Sequence, residues 1–201
     1  MSFTTIGLCL FAALLELDTT YAFQMLLSRP IIAGPLFGVL IGDAAAGLQV
    51  GIFAELLFAD ISPLGGIIPP SGVIAVAIPM ILRLLGIELY LGFFFGVIAA
   101  ILYSFFEAFL RKTRFKWLVF LEEKIVHHPS DIKRVIAGAL LLSFTMTFIF
   151  VSIVSWISAD ILFAIYPYLT PKVHFAFRLA YSAVPWLGLA ALISSFRNKA
   201  R

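Results

Sequence analysis

Long apolar stretches constrain the fold of this chain more than any other feature. Several run for more than about 18 residues without clustered charge, a length that predicts a membrane-spanning helix. Hydrophobic residues make up 62% of the 201 residues and charged residues only 12%, whereas soluble domains are about a quarter charged. We therefore predict an all-α, polytopic protein embedded in the lipid bilayer, with about five to seven membrane segments.

The basic residues indicate how the chain is oriented. Seven of the 14 Lys and Arg residues fall between Arg111 and Arg134, and three more follow Phe196. Two predicted spans, Val135–Ile157 and His174–Phe196, separate these clusters, so the positive-inside rule places both clusters on the cytoplasmic side. The net charge of +3 is small and is not spread over a soluble basic face, so we expect no nucleic-acid partner.

Composition divides the chain into three parts. Residues 1–110 form an N-terminal membrane region. Residues 111–134 are predicted to form a basic amphipathic loop at the cytoplasmic membrane surface. Residues 135–201 form a C-terminal membrane region with the two spans named above.

The N-terminal region contains two unusual segments. A first span, Phe3–Leu27, is interrupted by the acidic residues of Glu16–Asp18. Further along, Asp60–Pro79 holds four prolines and three glycines in an apolar context. Irregular backbone at membrane depth is either buried in protein or lines a watery cavity, so we predict a re-entrant or broken helical hairpin around Asp60–Pro79. An ordinary periplasmic loop is the alternative.

Two carboxylates lie in an apolar stretch with glycines between them. Asp43, Gly47, Gly51 and Glu55 are four residues apart, so on a continuous helix they form one stripe, and the glycines allow another backbone to approach closely. Alternatively, two half-helices meet at Asp43. A charge at mid-membrane costs at least about 3 kcal/mol, so Glu55 needs a partner or a substrate. In a purely structural alternative, Asp43 caps a half-helix and Glu55 pairs with an Arg.

Several spaced motifs between about Ala12 and Leu85 occur in the order of a known family. This part of the chain resembles the IIC permease subunit of the mannose/fructose/sorbose family of the bacterial phosphotransferase system (PTS). The family's last motif, Pro-Pro-Asp, ends in a serine here. The matching elements are Arg29–Pro30, Ile41–Gly42–Asp43, Gly47, Gly51, Glu55–Leu56, Gly65–Gly66 and Pro69–Pro70.

The resemblance implies a sugar permease in the bacterial cytoplasmic (inner) membrane. Such a subunit binds a hexose and moves it by alternating access, in an oligomeric complex with a IID membrane subunit and the cytoplasmic IIA and IIB proteins. IIB carries the phosphate and phosphorylates the sugar, so the IIC subunit is not itself the enzyme and needs no cofactor or metal.

Sugar hydroxyls require acceptors of fixed geometry, such as carboxylates and amides. Glu55 is the first candidate and Gln24 the second. Alternatively, the Gln24 amide only forms hydrogen bonds with backbone groups near Arg29–Pro30. Ser71 replaces the family's aspartate, and Asp60 is a candidate to take over its role. The full set of candidate sugar-binding residues is Glu55, Gln24, Asp60, Ser71 and Asp43.

A second hypothesis belongs to another class of protein. Ser71 at the aspartate position, and a short second half without a matching motif beyond about Leu110, favour a diverged IIC-like membrane scaffold or regulatory subunit that has lost sugar transport. Loss of sugar binding in Glu55→Gln with intact assembly favours the permease. Destabilisation by the same change favours a structural ion pair.

Overall fold

The computed structural model describes residues 2–20, 22, 24–61, 68–127 and 132–199. All regular secondary structure within these ranges is helical, which confirms the predicted all-α class. A 3₁₀ turn, Tyr166–Tyr168, separates the last two α-helices. The α-helices are α1 (Phe3–Thr20), α2 (Pro30–Ile41), α3 (Ala44–Phe58), α4 (Gly72–Leu84), α5 (Leu89–His127), α6 (Ile132–Ile165) and α7 (Pro171–Lys199).

Helix length separates two kinds of element. Three stretches are long and apolar enough to cross a membrane, namely Leu89–Phe115, Ile132–Tyr168 and Pro171–Ser194. Helices α2, α3 and α4 are apolar but have only 12, 15 and 13 residues. At 1.5 Å per residue they rise about 18–23 Å, which is less than the hydrocarbon core of about 30 Å.

Helix α1 differs from the predicted span Phe3–Leu27. It continues through Glu16–Asp18 without interruption and ends at Thr20. The carboxylate of Asp18 then accepts hydrogen bonds from the backbone N–H groups of Met25, at 2.8 Å, and Ser28, at 3.1 Å. The acidic residue therefore holds the turn that leads into α2 and does not break the helix.

Helices α2 and α3 form an antiparallel hairpin of two half-helices. Pro30 occupies the first turn of α2, and Gly42 ends that helix with a left-handed φ of +78°. Asp43 is the N-cap of α3. The half-helix alternative is thus correct, and the continuous stripe from Asp43 to Glu55 is wrong because Asp43 lies before the helix begins.

Glycines allow the two helices of this hairpin to touch backbone to backbone. A Cβ atom added to Gly38 of α2 would lie 2.7 Å from the carbonyl oxygen of Asp43, and one added to Gly47 of α3 would lie 2.7 Å from Cα of Gly38. Gly34 and Gly51 meet the opposite helix in the same manner. The close approach predicted at Gly47 and Gly51 is confirmed, and its partner is the other half of the same hairpin.

Helix α4 lies at the centre of the bundle. Every residue from Val73 to Leu82 is buried, and α4 packs against α1, α2, α3, α5 and α6. A hairpin of short helices is described at Pro30–Phe58, whereas the hairpin predicted around Asp60–Pro79 is only partly described, with Gly72–Pro79 in α4. Residues 62–67, which include the motif glycines Gly65–Gly66, lie outside the described residues.

The long helices differ from the prediction in one respect. Helix α5 continues to His127 and α6 begins at Ile132, so the predicted loop at 111–134 is helical wherever it is described. Residues 128–131 lie outside the described residues. The predicted spans Val135–Ile157 and His174–Phe196 lie within α6 and α7, as expected.

Candidate functional site

Polar side chains collect at both ends of the α2–α3 hairpin. At one end, which we call the hairpin base, Arg29 precedes α2 and Glu55 lies in the last turn of α3. The guanidinium Nη2 of Arg29 donates a hydrogen bond to Oε1 of Glu55, and the backbone N–H of Ile31 donates to Oε2 at 3.4 Å. The Glu55 side chain is 18% exposed, so the carboxylate joins the two helices and remains partly accessible at the protein surface.

The opposite end, which we call the hairpin tip, is formed by Gly42 and Asp43. The Oδ1 atom of Asp43 accepts from the backbone N–H of Ala46 at 3.1 Å, as an N-cap does. Its Oδ2 atom accepts from Nε and Nη2 of Arg83, both at 3.3 Å. Arg83 therefore joins the end of α4 to the hairpin tip.

A third polar contact joins α1 to the start of α4. Ser71 is the N-cap of α4, and its Oγ atom accepts from the backbone N–H of Ile74 at 3.3 Å. The same hydroxyl donates to Oε2 of Glu16 at 2.6 Å. Both side chains are buried, so this hydrogen bond lies inside the bundle.

Further along α5, Glu107 is a buried carboxylate that faces two cations. Arg111 donates from Nε at 3.0 Å and Arg114 donates from Nη2 at 2.7 Å. Arg114 also donates from Nη1 to the hydroxyl of Ser143 on α6, at 2.7 Å. Because Glu107 and Arg111 also interact electrostatically with Glu16, the two buried carboxylates belong to one polar region between α1, α5 and α6.

The structure separates the candidate sugar-binding residues into two groups. Glu55, Ser71, Gln24 and Asp60 lie in segments that meet at the hairpin base, because Gly72 contacts the ring of Pro30 and Glu55 contacts Ile31. Asp43 lies 12 residues from Glu55, about 18 Å along α3. A single sugar therefore cannot touch both Asp43 and Glu55.

Gln24 and Asp60 are both exposed. Gln24 has a left-handed φ of +50° in the turn held by Asp18. Within the described part of the chain, neither side chain takes part in the contacts that organise Glu55 and Ser71. Their place at the hairpin base rests on the chain path alone.

Besides Asp18, which holds the turn before α2, two buried carboxylates are absent from the candidate site residues. Glu16 and Glu107 each stand within an apolar helix, and a lone carboxylate in such a context is a signal for function. The spacing from Glu107 to Arg111 and Arg114 also places all three on one helix face. The sequence pattern instead indicates an interruption of the first span at Glu16.

Helices long enough to cross a membrane, together with a glycine-packed hairpin of half-helices, define a polytopic membrane protein. Residues 2–200 match the family model EII-Sor, described as the sorbose-specific IIC component of the PTS, and the chain belongs to this family. The family predicted from the motifs is confirmed.

Two curated relatives match over shorter segments. The chain is 40% identical over 70 residues to N-acetylgalactosamine permease IIC component 1 of Escherichia coli (strain K12), which covers 34% of this chain and 26% of that protein. It is 39% identical over 46 residues to the putative N-acetylgalactosamine permease IIC component 2 of the same organism, which covers 23% of this chain and 35% of that protein. The matches therefore span about a third or less of each relative's own length.

A solved structure has the same fold. The structure, described as "Structure of membrane protein", matches with a TM-score of 0.79 and 19% sequence identity, and the match covers 98% of this chain and 81% of that one. At this identity the likeness concerns the arrangement of helices alone.

Proposed function

We propose that this chain is the sugar-translocating IIC subunit of a PTS permease in the bacterial cytoplasmic membrane. It binds a hexose or an amino-hexose and delivers the sugar to the phosphorylating IIB protein. Membership of the IIC family supports this proposal, and the two curated relatives are IIC components of N-acetylgalactosamine permeases. Phosphoryl transfer takes place on the partner proteins.

The observation that carries the proposal is the arrangement of polar residues at the ends of half-length helices. Discontinuous helices in transporters place such ends at the substrate site, since their backbone and side chains are free to bind it. At the hairpin base, Glu55 offers a carboxylate that is already oriented by Arg29 and by the backbone of Ile31. A sugar hydroxyl can donate to that carboxylate, while the guanidinium of Arg29 donates to a neighbouring sugar oxygen.

The proposed partners are a IID membrane subunit and the cytoplasmic IIA and IIB proteins, in an oligomeric complex. Large apolar side chains project outward from α6 and α7, among them Trp156, Phe175 and Trp186. This apolar exterior suits lipid and a second membrane subunit.

One observation favours the alternative, a IIC-like scaffold without transport. The two carboxylates of the hairpin, Asp43 and Glu55, already have cationic partners in Arg83 and Arg29, and both contacts have an evident structural use. A scaffold needs these contacts for assembly and needs no sugar.

Equilibrium dialysis with radiolabelled N-acetylgalactosamine, sorbose and mannose distinguishes the two. The chain is co-purified with its IID subunit, and Glu55→Gln is compared with the matched control Glu88→Gln, which lies beyond the opposite end of α4. We expect saturable binding of at least one sugar, loss of about tenfold or more in affinity for Glu55→Gln, and no change for the control. A fully assembled wild-type complex that binds none of the sugars would leave the scaffold as the function.

A further inference from the structure

The N-cap position of α4 departs from the family motif in its side chain but not in its capping role. The family pattern has aspartate after Pro69–Pro70, and this chain has Ser71. Serine and aspartate are both good N-caps, and Ser71 caps Ile74 as an aspartate does. The substitution therefore preserves the start of the helix and removes only the negative charge.

The missing charge is present on another helix. Oε2 of Glu16, on α1, lies 2.6 Å from Oγ of Ser71. The carboxylate of an aspartate at residue 71 would therefore lie within hydrogen-bonding distance of the Glu16 carboxylate. Two carboxylates at that distance repel each other. Glu16 and Ser71 are thus matched to each other, and Glu16 is compatible with a serine at residue 71 and not with an aspartate.

The helix cap does not require Glu16. The N–H of Ile74 is satisfied by the Ser71 hydroxyl itself, and that hydroxyl can remain bonded to its own helix without a carboxylate. Burial of Glu16, which is 8% exposed as is Ser71, is costly for a charge in an apolar helix. The cap of α4 therefore does not account for this buried carboxylate, and a carboxylate within an apolar helix points to a function.

We propose that Glu16 supplies, from α1, the carboxylate that the family motif places at residue 71, and that the Glu16–Ser71 pair binds a hydroxyl of the transported sugar. This inference rests on the proposed function and names a further binding residue for it. The hydrogen bond to Ser71 uses Oε2 and orients the carboxylate so that a sugar hydroxyl can donate to it. Ser71, as a hydroxyl, can also accept from a neighbouring sugar hydroxyl.

The place of the pair in the fold agrees with this role. Ser71 begins α4 beside Pro30, at the hairpin base where Glu55 lies, because Gly72 contacts the ring of Pro30. The backbone N–H of Ser71 also donates to the carbonyl of Ala100 on α5, at 3.4 Å. The pair is therefore held from three helices, and such support keeps a binding group in one geometry.

The test moves the carboxylate from one helix to the other. In Glu16→Gln the charge is removed, in Ser71→Asp a second carboxylate is placed against the first, and in the double variant Glu16→Gln/Ser71→Asp the charge is on α4 alone. In the double variant, the amide introduced at residue 16 can donate to the carboxylate introduced at residue 71. Each protein is co-purified with its IID subunit, and its affinity for radiolabelled N-acetylgalactosamine, sorbose and mannose is measured by equilibrium dialysis.

We expect each single variant to lose about tenfold to a hundredfold in affinity, as when a hydrogen bond to a charged group is lost. The double variant should return to within about threefold of the wild type, and Glu88→Gln should not change binding. Gel filtration and thermal unfolding of every variant separate loss of folding from loss of binding. If a single variant does not fold, the folded double variant still tests the inference, because its sugar affinity depends on the carboxylate introduced at residue 71.

Two results overturn this inference and are distinct from each other. If the wild type binds sugar and Glu16→Gln binds it equally well, or the folded double variant binds as weakly as Ser71→Asp, then Glu16 is not a binding residue and the proposed function still stands. If the assembled wild type binds none of the sugars, the proposed function fails, and the role of Glu16 fails with it.

Discussion

The carboxylate of Asp43 and the guanidinium of Arg83 join the tip of the α2–α3 hairpin to the end of α4. Oδ2 of Asp43 lies 3.3 Å from both Nε and Nη2 of Arg83. At the other end of the same helices, Gly72 contacts the ring of Pro30. Helices α2 and α4 therefore run parallel and are fixed relative to each other at both ends, so a shift of the hairpin must break a polar contact at its tip.

Asp43 serves as a cap and as an ion-pair partner, and two substitutions separate these roles. Asn is as good an N-cap as Asp, so Asp43→Asn should lose only the ion pair, worth up to about 1 kcal/mol because both side chains are partly exposed. Asp43→Ala should lose about 1 kcal/mol more, from the cap. Unfolding free energies in mixed micelles measure both. Equal losses in the two variants would show that the cap contributes nothing.

The glycine contacts between α2 and α3 should not tolerate a methyl group. Gly38→Ala and Gly47→Ala each place a Cβ atom within 3 Å of the opposing backbone, and we expect destabilisation of about 1–3 kcal/mol from overpacking. Gly138→Ala in α6 is the matched control, since a Cβ atom there meets nothing within 4 Å. That change should be neutral or stabilise by up to about 1 kcal/mol. The same unfolding assay applies, and a stable Gly38→Ala would mean that the two helices are farther apart.

The Glu107 cluster predicts an order of effects. Glu107 is buried, so Glu107→Ala leaves two cations without their shared carboxylate and should cost about 3 kcal/mol. Arg114 is 18% exposed and also bonds Ser143, whereas Arg111 is 46% exposed. Arg114→Ala should therefore cost more than Arg111→Ala, which we expect to cost less than about 1 kcal/mol. The reverse order of the two arginines in unfolding measurements would contradict the described geometry.

Local sequence signals indicated where the two helices of the hairpin end, with the break at Asp43 as one of two alternatives. Pro30 at a helix start, and Gly42 followed by a capping residue, are strong short-range signals, and the glycine spacing indicated close packing. The end of α5 was predicted poorly because the charges after Leu110 were read as a loop. Charged residues are compatible with a helix, and between Gly96 and Pro129 the sequence contains neither glycine nor proline.

The candidate site was harder to predict, since its contacts join distant parts of the chain. Glu55 pairs with Arg29, 26 residues away, and Ser71 bonds Glu16, 55 residues away. Each pairing depends on which helices are neighbours and in which direction they run. A single sequence contains the residues that need partners but not the packing that selects them.

The ends of the bundle should be labelled from opposite sides of the membrane. The positive-inside rule places the basic part of α5 in the cytoplasm, so the hairpin tip, which lies near the start of α5, should face the outside. The single native cysteine, Cys9, is replaced by Ser so that it cannot react. Ala45→Cys near the tip should then react with a membrane-impermeant maleimide added to whole cells, and Thr113→Cys only in inside-out vesicles. Both native side chains are exposed, whereas the control Ala75→Cys is fully buried and should not react. Labelling of both exposed positions from the same side would show that the hairpin tip and the basic part of α5 face the same side of the membrane, which contradicts this prediction.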